Sequence, residues 1–254
     1  MFSTFIYEPI FNTLLFLHRY VPGQDMGLAI IAVTLLIKGI LYLPSLTSIR
    51  ASRQLQTLQP QLKALQEKYK DNKEALAREQ MKLYKESKVN PLSSCLPIVI
   101  QLPILFGLYR VFLNGLKVDD HGLLAPDQLK HLYDGLRTFY ENHPLTTTFL
   151  GFINLANRHN IVLALIAGVA QFWQSRMLAA PKEPKTAEAK DEALTSAMNR
   201  QMMYIFPFVT AWISYTLPAG LGLYWAVSTL FTVGQQYLFL RRHPVKTVIN
   251  GQTV

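Results

Sequence analysis

The stretch from Gly27 to Ser48, GLAIIAVTLLIKGILYLPSLTS, limits what this chain can fold into more than any other: it is an apolar run of membrane-spanning length with one cation, Lys38, near its middle. A spanning helix needs roughly 20 mostly apolar residues. An ionisable group at such depth costs at least about 2.5 kcal/mol on insertion scales, so it faces protein or water and marks a functional site. Lys38 follows Thr34 by four residues and precedes Tyr42 by four, which stacks the three on one helical face with Ser45 near the same stripe.

The rest of the chain supports a membrane reading. Its 254 residues are 50% hydrophobic and 16% charged, with a formal charge of +9, too apolar for an ordinary soluble domain of this size. A single cysteine, Cys95, excludes an internal disulfide framework and a cysteine metal cluster. The six histidines show no HExxH or paired spacing on one helical face, and no GxxxxGK[ST] segment is present, so neither a metal, a bound nucleotide nor any other cofactor is expected.

Taken in order, residues 1–25 set Phe5, Ile6, Ile10, Phe11, Leu14 and Leu15 among Glu8, Asn12, His18 and Arg19, the pattern of an amphipathic helix on the extracytoplasmic membrane surface ending near Pro22-Gly23. A first span at 26–48 is followed at 49–90 by a basic segment with ten lysines and arginines against five acids, in which Leu55, Leu58, Leu62, Leu65 and Tyr69 form a helical seam. KDNKE at 70–74 interrupts that seam, and Leu76, Met81, Leu83 and Tyr84 resume it, so a cytoplasmic helical hairpin is expected. A second span covers 91–116, with Pro97 and Pro103 bending it and Arg110 reaching the interface. A polar extracytoplasmic connection at 117–159 leads to a third span at 160–178, a cytoplasmic loop at 179–200, a fourth span at 201–217, a fifth at 219–240 and a cytoplasmic tail at 241–254. Pro218 alone separates the last two spans, which makes them antiparallel neighbours.

The expected fold is therefore an all-α polytopic membrane protein: a five-transmembrane-helix bundle with an N-terminal interfacial helix and a cytoplasmic hairpin. Lysine and arginine number 18 on the side of the hairpin, second loop and tail against 5 on the other. The positive-inside rule puts the hairpin and C-terminus in the cytoplasm and the N-terminus outside.

Gln101, Gln171 and Gln174 are uncharged polar groups on other spans. Either they line one hydrated hollow with Lys38, Thr34 and Tyr42, or they hydrogen-bond helices together. None of the five spans carries Asp or Glu. Such a bundle is badly equipped for proton-coupled transport, whereas a lone cation in a wet groove suits a transient anionic visitor. A small-anion channel or carrier and a membrane assembly scaffold are the alternatives. A hydrolase is disfavoured, since Ser45, Ser214 and Ser228 have no evident base partner. On the hairpin, Arg50, Arg53, Lys63, Lys68, Lys82 and Lys85 are candidates for substrate capture and docking, or serve only to keep it soluble.

Three stretches carry a resemblance that covers residues 27–242: GLAIIAVTLLIKGILYLP, LQPQLKALQEKYKDNKEALAREQMKLYKESKVNPLSSCLPIVIQLPILFGLY and LPAGLGLYWAVSTLFTVGQQYL. In that order they resemble the YidC/Oxa/Albino membrane protein insertases, which implies a place in the bacterial inner membrane for this chain. The resemblance implies five core helices around a hydrophilic groove, open to cytoplasm and lipid and closed outside. It implies a non-enzymatic translocase and chaperone that receives nascent membrane proteins from the ribosome or the Sec translocon and passes them to lipid. The family's groove carries an arginine on the first core span, and Lys38 stands at that position, keeping the charge but losing the planar fork. Trp225, in LYW, matches a family aromatic near the groove; packing in the core or at the interface accounts for it equally well. The large extracytoplasmic domain and lipobox cysteine of many bacterial relatives have no counterpart in the sequence, so a minimal form is expected.

Overall fold

The structure, a computed structural model, describes residues 3–90, 93, 96–178, 192–242, 248–249 and 252–253. Cys95, most of the 91–95 entry to the second expected span, the 179–191 part of the loop and most of the tail lie outside the described residues. The protein is mostly helical. A π-helical turn, Ser3–Tyr7, leads into α1 (Glu8–Tyr20), where Pro9 sits in the first turn and its missing N–H leaves nothing unpaired. Gly23, at φ +67°, turns the chain toward α2 (Met26–Ile40), whose N-terminus is capped by the Asp25 carboxylate accepting from the Leu28 amide.

The expected continuous span 26–48 is broken. α2 ends at Ile40 and α3 (Tyr42–Thr57) continues at a bend of 68°. The cause is Pro44: its ring conflicts with the carbonyl four residues back, that of Ile40, and it has no N–H to donate there. The break falls just before it, at Leu41, and leaves Pro44 in the tolerant first turn of α3. Among the described residues no single helix is long and apolar enough to cross a membrane; α2 and α3 qualify only as a bent pair, and Val99–Gly115 and Ile161–Met177 are shorter apolar helices.

Beyond α3, α4 (Gln59–Lys68) and α5 (Lys73–Glu86) fold back on each other. They enclose a small separate core of Leu58, Leu62 and Val89 with Leu55, Leu83 and Tyr84 against it. Met81, expected to belong to the seam, is exposed. Asn72, in the KDNKE interruption, caps α5 by accepting from the Ala75 amide at 3.0 Å.

α6 (Leu96–Arg110) ends in a π-helical turn, Val111–Gly115. The connection that follows is more than a polar loop. It forms α7 (Pro126–Leu129), α8 (Asp134–Tyr140) and a two-stranded antiparallel pair, β1 (Thr148–Phe149) with β2 (Ile153–Asn154), which the all-α expectation did not include. Leu124, Leu132, Leu136, Tyr140, Leu145 and Leu155 join Phe11, Leu14 and Leu15 of α1 and Met26, Ala29 and Ile30 of α2 in the main core. Two polar bolts fix α1 to this cap. Buried Asn12 donates to the His131 carbonyl and accepts from the Tyr133 amide. Buried His18 lies between the hydroxyls of Tyr140, at 2.8 Å, and Thr146, at 3.1 Å. α1 is thus walled in by protein on one face and exposes Phe16 and Tyr20 on the other.

α9 (Ile161–Leu178) packs on both α10 (Glu192–Thr216) and α11 (Ala219–Arg242). α10 begins nine residues before the fourth expected span, because residues 192–200 hold helix-forming Ala, Met and Glu without a breaker. α10 and α11, expected to be close antiparallel neighbours, touch much less than either touches α9, which lies between them. Gly168 on α9 lets α10 approach, since a Cβ there would sit 2.9 Å from that of Ala211. α11 also packs on α2, and so holds the central place between the N-terminal and C-terminal halves. A second short pair, β3 (Val248–Ile249) with β4 (Gln252–Thr253), follows.

Candidate functional site

α11 carries Tyr224, Ser228, Thr232 and Gln235 at spacings of four, four and three, which puts their side chains on one face of the helix. Three segments distant in sequence meet this stripe. From α2, the Lys38 ammonium donates to the Thr232 hydroxyl at 3.3 Å, which in turn donates to the Ser228 carbonyl. From α3, just past the bend, the Ser45 hydroxyl donates to Gln235 Oε1 at 2.9 Å. From α6, the Gln101 amide donates to the Tyr224 hydroxyl.

The result is a polar seam inside apolar helices, containing one half-buried cation. Among the described residues no carboxylate lies within ion-pairing distance of Lys38. The only bond drawn to its ammonium is a neutral hydroxyl, which leaves two of its three donors without a protein acceptor among those residues. On α11, next to Thr232, Gln235 Nε2 and Gln236 Oε1 are buried with no hydrogen-bond partner among the described residues, as is Ser214 Oγ of α10, which lies beside Gly222, ten residues before Thr232. Buried polar atoms of this kind are ordinarily satisfied by water or by a bound group.

The expected site residues divide. Lys38 and Gln101 are brought to the same face of α11. Thr34 is fully buried and turns its hydroxyl back to the Ile30 carbonyl at 2.6 Å, so it is satisfied within its own helix. Tyr42 does not continue the Thr34–Lys38 stripe, because the Pro44 bend falls between them; it is exposed. Gln171 is buried on the face of α9 that bears Leu163 and Ala167, and Leu163 packs beside Gly222 of α11. It lies two turns along α9 from Leu163, on the face turned to α11. Gln174 is half-buried on the same helix. Trp225 is half-buried and precedes Thr232 by seven residues, two turns, so it lies about 20° from Thr232 around the helix, at the edge of the polar stripe.

On the hairpin, Arg50, Lys68, Lys82 and Lys85 are exposed, Lys63 is half-buried, and Arg53 donates to Gln56 at 2.6 Å. Lys82 and Lys85 line, with Ala77, Arg78 and Met81, a shallow groove along α5. The residues that sequence reasoning passed over are those of α11: Tyr224, Ser228, Thr232 and Gln235. Their signal was an i, i+4 polar repeat inside an apolar helix, which is readable in LYWAVSTLFTVGQQ.

The sequence model of the 60Kd inner membrane protein family matches residues 16–246, nearly the whole chain and every element that builds the seam. The chain belongs to the 60Kd inner membrane protein family. Among its relatives is a membrane protein insertase YidC of Streptomyces avermitilis, 35% identical over 232 residues, a match covering 87% of this chain and 53% of the relative. The family's YidC of Chlorobium limicola is 34% identical over 237 residues, covering 93% of this chain and 36% of the relative. A crystal structure of an active YidC insertase with its first transmembrane domain resolved superposes with a TM-score of 0.55 at 26% identity, over 91% of this chain and 46% of that one. The chain spans about half the length of the Streptomyces family member and about a third of the Chlorobium one.

Proposed function

We propose that this chain is a membrane protein insertase of the bacterial inner membrane. The observation that carries the reading is Lys38: a cation set among hydroxyls and amides on the α2–α11 seam, with no carboxylate beside it among the described residues. The insertase names of its relatives support the same assignment. In this reading the bent α2–α3 pair, α6 with its π turn, α9, the latter part of α10 and α11 cross the bilayer, with the N-terminus outside and the C-terminus and hairpin in the cytoplasm. Clients are nascent membrane proteins, delivered by the ribosome or the Sec translocon and released to lipid.

The mechanism follows from the charges. The basic, weakly packed hairpin takes up an emerging hydrophobic segment, and the segment's polar flank enters the seam, where Lys38 attracts acidic side chains and Ser45, Thr232, Gln101 and Gln235 exchange hydrogen bonds with the backbone. Each such exchange lowers the cost of carrying an amide through hydrocarbon, which is several kcal/mol per unsatisfied group. Release is driven by burying the apolar part in lipid at about 25 cal/mol per Å². The insertase lowers a barrier and supplies no chemical energy.

Insertion of a client with an acidic translocated tail should fall in Lys38→Ala, fall further in Lys38→Glu, and remain near the parent level in Lys38→Arg, scored by protease protection of the tail in cells depleted of the native insertase. Equal insertion by all four proteins would remove Lys38 from the mechanism.

A further inference from the structure

The β1–β2 turn presents an unusual choice of residues. Phe149 to Phe152 form a tight turn closed by the Phe152 amide on the Phe149 carbonyl, with Leu150 at φ +52° and Gly151 at φ +79°. Two successive positive φ values define the hairpin turn that water-exposed loops fill with Asn-Gly or Asp-Gly. Here a leucine takes the strained left-handed position, and two of the turn's three apolar side chains point away from the protein: Leu150 is 59% and Phe152 75% exposed. Strain accepted in order to expose leucine and phenylalanine makes no sense against water.

The turn is also held rigidly at one level of the molecule. The Leu150 amide donates to Asp25 Oδ2 at 2.6 Å, and the other oxygen of the same carboxylate caps α2 through the Leu28 amide. The Phe149 ring lies over Gly27, where a Cβ would collide with it. One and three residues past the pair, the carbonyls of Leu155 and Asn157 accept from the Gly220 and Ala219 amides at the start of α11. The tip is thereby fixed to the first turns of both seam helices, and Ile161 and Val162, exposed at the start of α9, continue the apolar surface from the same connection.

We propose that the Leu150-Gly151-Phe152 tip is a lipid anchor, inserted among the acyl chains just beneath the extracytoplasmic headgroups and setting the depth at which α2 and α11 sit. The partner is the bilayer itself. The inference rests on the membrane reading given above and adds a contact to it.

The test uses the full chain in liposomes, with Cys95 replaced by alanine and single cysteines introduced as Phe152→Cys, Tyr133→Cys and Leu36→Cys for nitroxide labelling. Tyr133 is exposed on the cap and Leu36 on the flank of α2, so they serve as aqueous and lipid references. Collision with dissolved oxygen, which concentrates in lipid, is compared with collision with a water-soluble nickel chelate. The label at 152 should side with that at 36, favouring oxygen, while the label at 133 favours nickel. A label at 152 that matches the one at 133 overturns the anchor. A label at 152 screened from both reagents means that protein covers the tip, and overturns it too. Should the label at 36 itself favour nickel, the membrane reading has failed, and the anchor with it.

Discussion

The cap and the hairpin are both built from short helices outside the proposed spans, yet they are held in opposite ways. The cap, made of α1 and residues 117–159, shares one continuous core with α2, α6 and the start of α11, and its buried polar groups Asn12, His18 and Tyr140 all find partners. The hairpin of α4 and α5 buries only Leu58, Leu62 and Val89 in a core of its own. Stability in proteins is distributed unevenly, and segments with few buried apolar contacts open at low free energy. The cap is therefore a fixed lid on one end of the polar seam, and the hairpin a yielding element at the other. The insertase proposed above, whose substrate would enter from one side and be stopped at the other, needs that asymmetry.

Removing a cap side chain should break the comparison most forcefully. Phe11 is fully buried, stacks on Tyr7 at 5.5 Å and packs on Gly115. Phe11→Ala should cost about 3 to 5 kcal/mol, the range for such truncations in packed cores. Thermal unfolding of the detergent-solubilised chain should drop accordingly. The matched change in the hairpin, Leu62→Ala, should leave that transition in place and speed proteolysis between 59 and 86 alone. Equal global loss from both variants would show that the hairpin is not a separate unit.

The next effect concerns the His18 bolt. Burial holds its pKa below the usual 6.5, against smaller opposing contributions from Thr146, Gln24 and Asp25. The Tyr140 hydroxyl donates to the Leu15 carbonyl and the Thr146 hydroxyl to the Gln24 carbonyl, so each oxygen faces the ring as an acceptor, and a neutral ring donates to one of the two. Because the unfolded chain binds a proton here more readily than the fold does, the contribution of His18 is complete above about pH 6.5, the unfolded value, and is lost as pH falls toward the lowered folded value. Cap stability should fall between pH 7.5 and pH 5.5 in the parent, and the fall should shrink in His18→Gln. Tyr140→Phe leaves Nδ1 without its buried partner and should cost about 1 to 3 kcal/mol. Neither change should alter protease sensitivity of the hairpin.

The same contrast explains what the sequence could disclose. The hairpin was legible because its signals are local: leucines at three and four, and KDNKE as a break. The apolar stretches that become α2, α6, α9 and α11 were legible as helices for the same reason, and Lys38 stood out as a lone charge. The cap was not, because its core is assembled from single leucines spread over the connection that join α1 more than a hundred residues away in one cluster, as Tyr140 joins Leu15. The bend at Leu41 was written in Pro44 but overridden by the length of the apolar run, and that misplaced Tyr42. The partners of Lys38 were missed because the polar repeat on α11 becomes a site only when α2 is laid against it, and no periodicity within either helix states that they meet.

The smallest effect sharpens the comparison at a single hydrogen bond. Asn72 accepts from the Ala75 amide at the start of α5, and α5 has no fully buried residue to compensate for its loss. Asn72→Ala should cost about 1 kcal/mol, as lost N-caps commonly do. In the cap, whose helices are pinned by core packing, a change of that size would be shared across the whole cooperative unit and be hard to see. In the hairpin it should appear locally, as roughly fivefold faster exchange of the amides in the first turns of α5, since about 1 kcal/mol corresponds to that factor in an opening equilibrium. Amides of α1 and α8 should keep their rates. If exchange in α8 accelerates together with that in α5, the two regions are one cooperative body, and the division of labour between a fixed lid and a yielding hairpin fails.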